Sequence, residues 1–285
     1  MKAEMFGPAI IARSITGHDY EDRFGNHWQY YPWSDHHSKV ACWAALFDLL
    51  RTCALMRQHA ADGNIGFGIN HTMADFRMDR QKDLDLVVCT PGTGPAGRET
   101  FRSLSEAYGV VLTDEERREL RSVPDLQQTP VGVVHLALEA KATMTEHVKA
   151  LPRLYDELTS SHVCIHGASN RVIAAGLSII NASESFISPK NNLFGIRKKG
   201  PRLNEHRQPQ STLRTIQKVK QIARRSNVEE RGFDALAIIL IDMRNDGSPV
   251  RLVESGPAPQ PNDIFHYDTM IRRVAQLYEA RFPHV

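Results

Sequence analysis

The sequence predicts an α/β fold, a mixed central sheet flanked by helices, with its core elements in the order helix, strand, strand, strand, helix, strand. Three observations predict it. Val131–Lys141 is an apolar run rich in β-branched residues, and Pro130 marks its start. Lys82–Cys89 is a second apolar run, opened by two aspartates. Around them, stretches at 36–58 and 143–160 place apolar residues at i, i+3, i+4 and i+7, the period of a helix with one buried face.

Residues 1–34 are aromatic and irregular, with Tyr20, Phe24, Trp28, Tyr30, Tyr31 and Trp33 interrupted by Gly17, Gly25 and Pro32. They are expected to form an N-terminal arm packed on the core, with an oligomer or nucleic-acid contact as other readings. Ser34 or Asp35 caps the helix at 36–58, whose stripe is Val40, Trp43, Ala44, Phe47, Leu50, Ala54 and Leu55, and Gly63 ends it. Asp48 lies beside that stripe and is expected to be exposed. Asn64–Asn70 is a short strand in which Gly66 and Gly68 allow close backbone approach.

After a polar turn comes the strand at 83–89. Pro91–Gly97 is a loop, and it lacks the Lys-Ser/Thr ending of a phosphate-binding P-loop. Two helical stretches fill 98–122, the second opened by the capping box Thr113–Glu116. Together, 90–130 form an insertion. The Val131 strand and the helix with Val148, Leu151, Leu154, Tyr155 and Leu158 follow, Pro152 either kinking that helix or opening a shorter one. His162–His166 is expected on a strand, where i and i+4 are about 13 Å apart, too far for two ligands of one metal. Val172–Asn181 is a buried strand. Leu213–Arg225 is a helix, Phe233–Asp242 a strand and Asp263–Phe282 an amphipathic helix. The domain reading is an arm at 1–34, a core at 35–181, and a basic extension with a closing strand and helix at 182–285.

The 285 residues and 41% hydrophobic content suit a globular chain. No run approaches the roughly 18 apolar residues of a membrane helix. With a poor signal peptide at the N-terminus, a cytoplasmic protein with no membrane contact is expected. Four scattered cysteines, none in C-x-x-C, read as buried free thiols. Net charge is only +2, but Lys190–Arg225 alone carries eleven Lys and Arg against one acid. Arg197, Lys198, Lys199, Arg202, Arg214, Lys218 and Arg225 make that block a candidate polyanion surface, Arg214, Lys218 and Arg225 lining one outer side of the helix. A solvated loop and helix face is the plainer reading.

Chemistry enters at the strand ends. Residues i and i+2 of a strand share a face, so Glu139 and Lys141 project together from an otherwise apolar strand, and Asp83 and Asp85 do the same upstream. Burying such charges is costly unless they are paired or hold a metal. As a surface pair, Glu139 and Lys141 are worth under about 1 kcal/mol and demand no function.

The D-(x)n-E-x-K order and the element order resemble the PD-(D/E)XK nuclease superfamily, the restriction-endonuclease-like fold, over roughly Ser34 to Asn181. The resemblance implies Asp85, Glu139 and Lys141 as catalytic residues. Asp85 and Glu139, with Asp83, would hold Mg²⁺ or Mn²⁺, and Lys141, its ammonium destabilised beside the metal, would orient a water. Glu146 and His147 would assist from the following helix. Leu84 stands where the family has proline, and 54 residues separate Asp85 from Glu139. The implied activity is a DNA endonuclease of restriction or phage defence, working as a homo-oligomer such as a dimer. Asp83-Leu84-Asp85 also resembles the nucleotidyltransferase fold, with Glu139 as third acid. A non-catalytic DNA-binding protein with a degenerate core is the remaining alternative.

Overall fold

A computed structural model describes residues 4–76, 78–145 and 147–285, and of Val148 the backbone alone. In chain order the elements are α1 (Gly7–Gly17), β1 (Tyr20–Glu21), β2 (His27–Trp28), α2 (His36–Thr52), α3 (Ala54–Ala61), β3 (Gly66–Asp75) and β4 (Arg80–Pro91). Next come α4 (Phe101–Ala107), α5 (Asp114–Ser122), β5 (Val131–Thr143), α6 (His147–Ala168), β6 (Ile173–Asn181) and β7 (Ser185–Phe186). The rest are α7 (Ile196–Lys199), β8 (Asn204–Glu205), α8 (Gln210–Lys220), β9 (Ala235–Asp242), β10 (Arg251–Leu252) and α9 (Tyr267–Arg281).

The central sheet has six strands in the order β10-β9-β6-β5-β4-β3. β3, β4 and β5 form an antiparallel meander, whereas β6 and β9 run parallel to β5. The parallel step from β5 to β6 is made by α6, because parallel neighbours need a long crossover. Every residue of β6 is buried, as expected of a strand covered on both faces. Alternate residues of β5 feed two cores. Leu136, Leu138 and Ala140 pack with α1, α2 and α9, while Val134 and Ala137 pack with α6 and α8. The mixed α/β class and the helix, three strands, helix, strand order are thus present as α2, β3, β4, β5, α6 and β6.

Several expectations need correction. The arm is not irregular throughout, since α1 buries Ile10, Ile11 and Ile15. Asp48 is fully buried: it accepts the backbone N–H of Phe6 and of Gly7 and the Tyr267 hydroxyl, and it pairs with Arg51. Those donors take the place of water. The helix at 36–58 is two helices broken at Cys53. His162 and His166 lie on α6, not on a strand, because the helix runs 22 residues with Pro152 inside it. Both imidazoles are buried, and burial pushes each down to about 4.

Other expectations hold. Thr113 and Glu116 form a reciprocal capping box. A Cβ at Gly66 would sit 2.7 Å from the Gln127 carbonyl oxygen, so that strand does approach its neighbour closely. All four cysteines are free and buried. Among the described residues no helix is long and apolar enough to cross a membrane.

Candidate active site

The β4–β5 ladder pairs Val87 with Ala137 and Leu86 with Leu138, and there it stops. The next pair would be Asp85 with Glu139. Instead, the Ala140 N–H turns to the side chain and donates to Asp85 Oδ2 at 2.9 Å. On the other side, the β3–β4 pairing skips Asn70 opposite Asp85, and Asn70 takes a left-handed φ of 48°. The β4–β5 ladder therefore ends at Asp85, whereas β3–β4 misses this one pair and resumes at His71 and Leu84. Two antiparallel strands splaying at this point bring the Asp85 and Glu139 carboxylates to one place.

Glu139 is completely buried. Lys141 Nζ lies 2.7 Å from its Oε1 and Lys82 Nζ 3.9 Å from the same atom. Glu139 Oε2 is left with no donor among the described residues. Burial and the neighbouring Asp85 charge hold the Glu139 carboxyl above its ordinary range, and Lys141 offsets only part of this. Burial alone would lower the Lys141 ammonium, but the charges of Glu139 and Asp85 outweigh it and raise it.

Asp85 and Lys141 line a cleft of about 410 Å³, with Glu139 buried behind its floor. Asp85 and Ala140–Thr143 form its floor, Lys149, Arg153 and Glu157 of α6 one wall, and Pro32, Ser34, Asp35, His37 and Lys190 the other. The 149, 153, 157 spacing is one face of a helix. It was present in the sequence, beside the apolar face that drew the reading of that helix. Burial, then the Lys141 charge, pushes His37 down to about 4, so a neutral imidazole faces this cleft at neutral pH.

The other predicted residues sit elsewhere. Asp83 is exposed and accepts a hydrogen bond from the Thr72 hydroxyl, outside the cleft lining. Glu146 lies outside the described residues. His147 is buried, bonded through Nε2 to the Asn181 carbonyl at 2.7 Å and packed edge-on against His206. It belongs to the wall between α6 and β6. Arg197, Lys198, Lys199, Arg202 and Arg214 are exposed, and Lys218 lies over the Tyr155 ring at 4.0 Å. Arg225 is not an outer residue. It is 2% exposed and makes a two-pronged pair with Asp234. Comparison with protein-family models, curated proteins and solved structures returned no match.

Among the described residues no three His, Cys, Asp or Glu side chains cluster to hold a metal. A cation at the cleft floor would draw on two carboxylates and water, a set that suits Mg²⁺. The fit is favourable: two adjacent carboxylates, one buried with an orphaned oxygen, are relieved by a divalent cation.

Proposed function

We propose that the chain is a Mg²⁺-dependent endonuclease that hydrolyses DNA phosphodiester bonds in this cleft. The observation that carries the reading is Glu139, a buried carboxylate beside Asp85 with one oxygen that no donor satisfies among the described residues. A purely structural carboxylate would be expected to have its donors in place. The α2, β3, β4, β5, α6, β6 order supports the restriction-endonuclease-like reading, since it puts the Asp and Glu-x-Lys strands side by side.

Asp85 and Glu139 would hold Mg²⁺ or Mn²⁺, which when bound supplies Lewis-acid stabilisation of charge on the phosphate. Lys141, half-buried at the floor, would donate to a phosphate oxygen or orient the attacking water. Lys149, Arg153 and Lys190 on the walls, and the exposed Arg197, Lys198, Lys199, Arg202 and Arg214, supply charge for flanking phosphates. A restriction or phage-defence role, acting as a dimer, is the biological setting this chemistry suits. Asp83, turned to Thr72 and outside the cleft lining, does not join Asp85 there as the nucleotidyltransferase alternative needs.

The test is supercoiled plasmid with Mg²⁺, run beside Glu139→Ala and an EDTA control. Nicking or linearisation that vanishes in both controls is the expected result. Cleavage that persists in Glu139→Ala sinks the site, and no cleavage by purified protein over a range of plasmids and both cations sinks the activity.

A further inference from the structure

The cleft does not account for the aromatic rings at its rim. Trp33 is 63% exposed. It stands between Pro32 and Ser34, both on the cleft wall. The Tyr31 ring lies 5.0 Å from it, and Tyr20 stacks on Tyr31 at 4.0 Å with the planes 18° apart. Lys190, also on the wall, holds its ammonium 5.6 Å from the Trp33 ring.

The backbone behind these rings is tied down. The Trp28 indole is buried and donates to Asp22, which also accepts the Phe24 and Asn26 N–H groups. The Tyr30 N–H donates to Asn245, whose amide donates back to the Tyr30 carbonyl. The nearby acids are engaged or turned away. Asp19 pairs with His27 and Asp35 with Lys39, and Glu21 projects to the opposite strand face from Tyr20. Cations flank the aromatic surface further on, with Lys199 and Arg202 over the Phe194 ring. Tyr20 and Tyr31 are stacked on each other, so the exposed Trp33 ring and the outer face of Tyr20 are the surfaces a base would meet, and beside a line of cations they suit unpaired bases and their phosphates. Bases paired in a duplex are already stacked and do not offer such faces.

We propose that Tyr20, Tyr31 and Trp33 form a stacking track for the unpaired bases of a single-stranded segment whose backbone enters the cleft past Lys190. The proposal rests on the reading that the cleft holds a nucleic-acid phosphodiester, and it narrows the substrate to one with a single-stranded flank.

Fluorescence isolates the track, because Trp28 and Trp43 are 1% and 0% exposed and Trp33 is the tryptophan that a solute can reach. In EDTA, oligothymidylate is expected to quench the wild-type emission and to shield it from iodide, whereas a blunt duplex of equal length and heparin are not. By anisotropy of labelled oligothymidylate, Trp33→Ala weakens binding roughly tenfold, Trp33→Phe keeps it, and neither changes heparin binding. The proposal is overturned by equal quenching with duplex or heparin, by unchanged affinity in Trp33→Ala, or by absence of binding. It is also overturned if Trp33 emission shifts with protein concentration alone, which would mean that a second copy covers the ring. Plasmid cleavage run in parallel separates the two ideas. Quenching without cleavage removes the nuclease, and cleavage without quenching removes the track.

Discussion

Two buried carboxylates in this molecule have opposite surroundings. Asp234 sits at the start of β9 and accepts from Arg225 Nε and Nη2 at 2.9 and 3.0 Å, from Arg281 at 2.7 Å and from the Ala174 N–H at 2.8 Å. Glu139 is equally buried, yet it has an ammonium at one oxygen and, among the described residues, no donor at the other. Burial pushes both carboxyls up, but at Asp234 the hydrogen bonds from Arg225 and Arg281 prevail and hold it below the ordinary range. At Glu139 burial and Asp85 prevail. The difference teaches that burial alone does not mark function. A charge whose partners are complete is holding the fold together, and one short of partners is the better candidate for a ligand site.

The largest effect should come from breaking the Asp234 cluster. Asp234→Ala leaves Arg225 and Arg281 without their counter-charge, and it should cost about 3–5 kcal/mol in urea unfolding. Activity per folded molecule should survive. Glu139→Gln should do the reverse. Cleavage falls roughly 10²–10³-fold or more, while stability in EDTA stays level or rises, because an ill-paired charge has gone. If Glu139→Gln unfolds the chain as Asp234→Ala does, the distinction between the two carboxylates is wrong.

pH sharpens the contrast. Asp234 has a depressed folded value, so its contribution is present above the ordinary aspartate value of about 3.9 and is lost as pH falls through the lower folded value. Glu139 has a raised folded value, so its neutral form suits the fold, and stability is lost as pH rises from the ordinary glutamate range through the raised one. Urea titrations in EDTA should show Glu139→Gln removing that loss on the alkaline side and leaving the acid limb unchanged. An identical pH profile for Glu139→Gln and wild type would mean that Glu139 carries no such strain.

The part of this that was legible in the sequence follows from period. Asp85, Glu139 and Lys141 stood out because charges interrupt an apolar run whose alternation fixes their face. The order of the core elements along the chain followed from strand and helix periods in the same way. What escaped depended on partners far along the chain. Asp48 looked exposed because its donors, Phe6, Gly7 and Tyr267, are 41 to 219 residues away. HVCIH looked like a strand because five residues rich in β-formers outweigh, locally, a helix that only its full length and its packing against the sheet establish. The arm hid α1 because its aromatic neighbours carry no period.

Arg225 poses the same comparison among the cations, and it yields the smallest and most specific prediction. In the sequence it is one of eleven positive charges in a run and is indistinguishable from Arg197 or Lys198. In the fold it is buried against Asp234 and the Val172 carbonyl, while Arg197, Lys198 and Lys199 are exposed around α7. Replacing Arg197, Lys198 and Lys199 together by Ala should leave stability within about 0.5 kcal/mol. It should flatten the dependence of log K for DNA on log salt by up to about 2.7, three phosphate contacts at about 0.9 each. Arg225→Ala should destabilise the fold and leave the slope of the surviving folded protein unchanged. A slope that falls with Arg225→Ala and not with the triple variant would mean that DNA is held near Arg225 and not at α7.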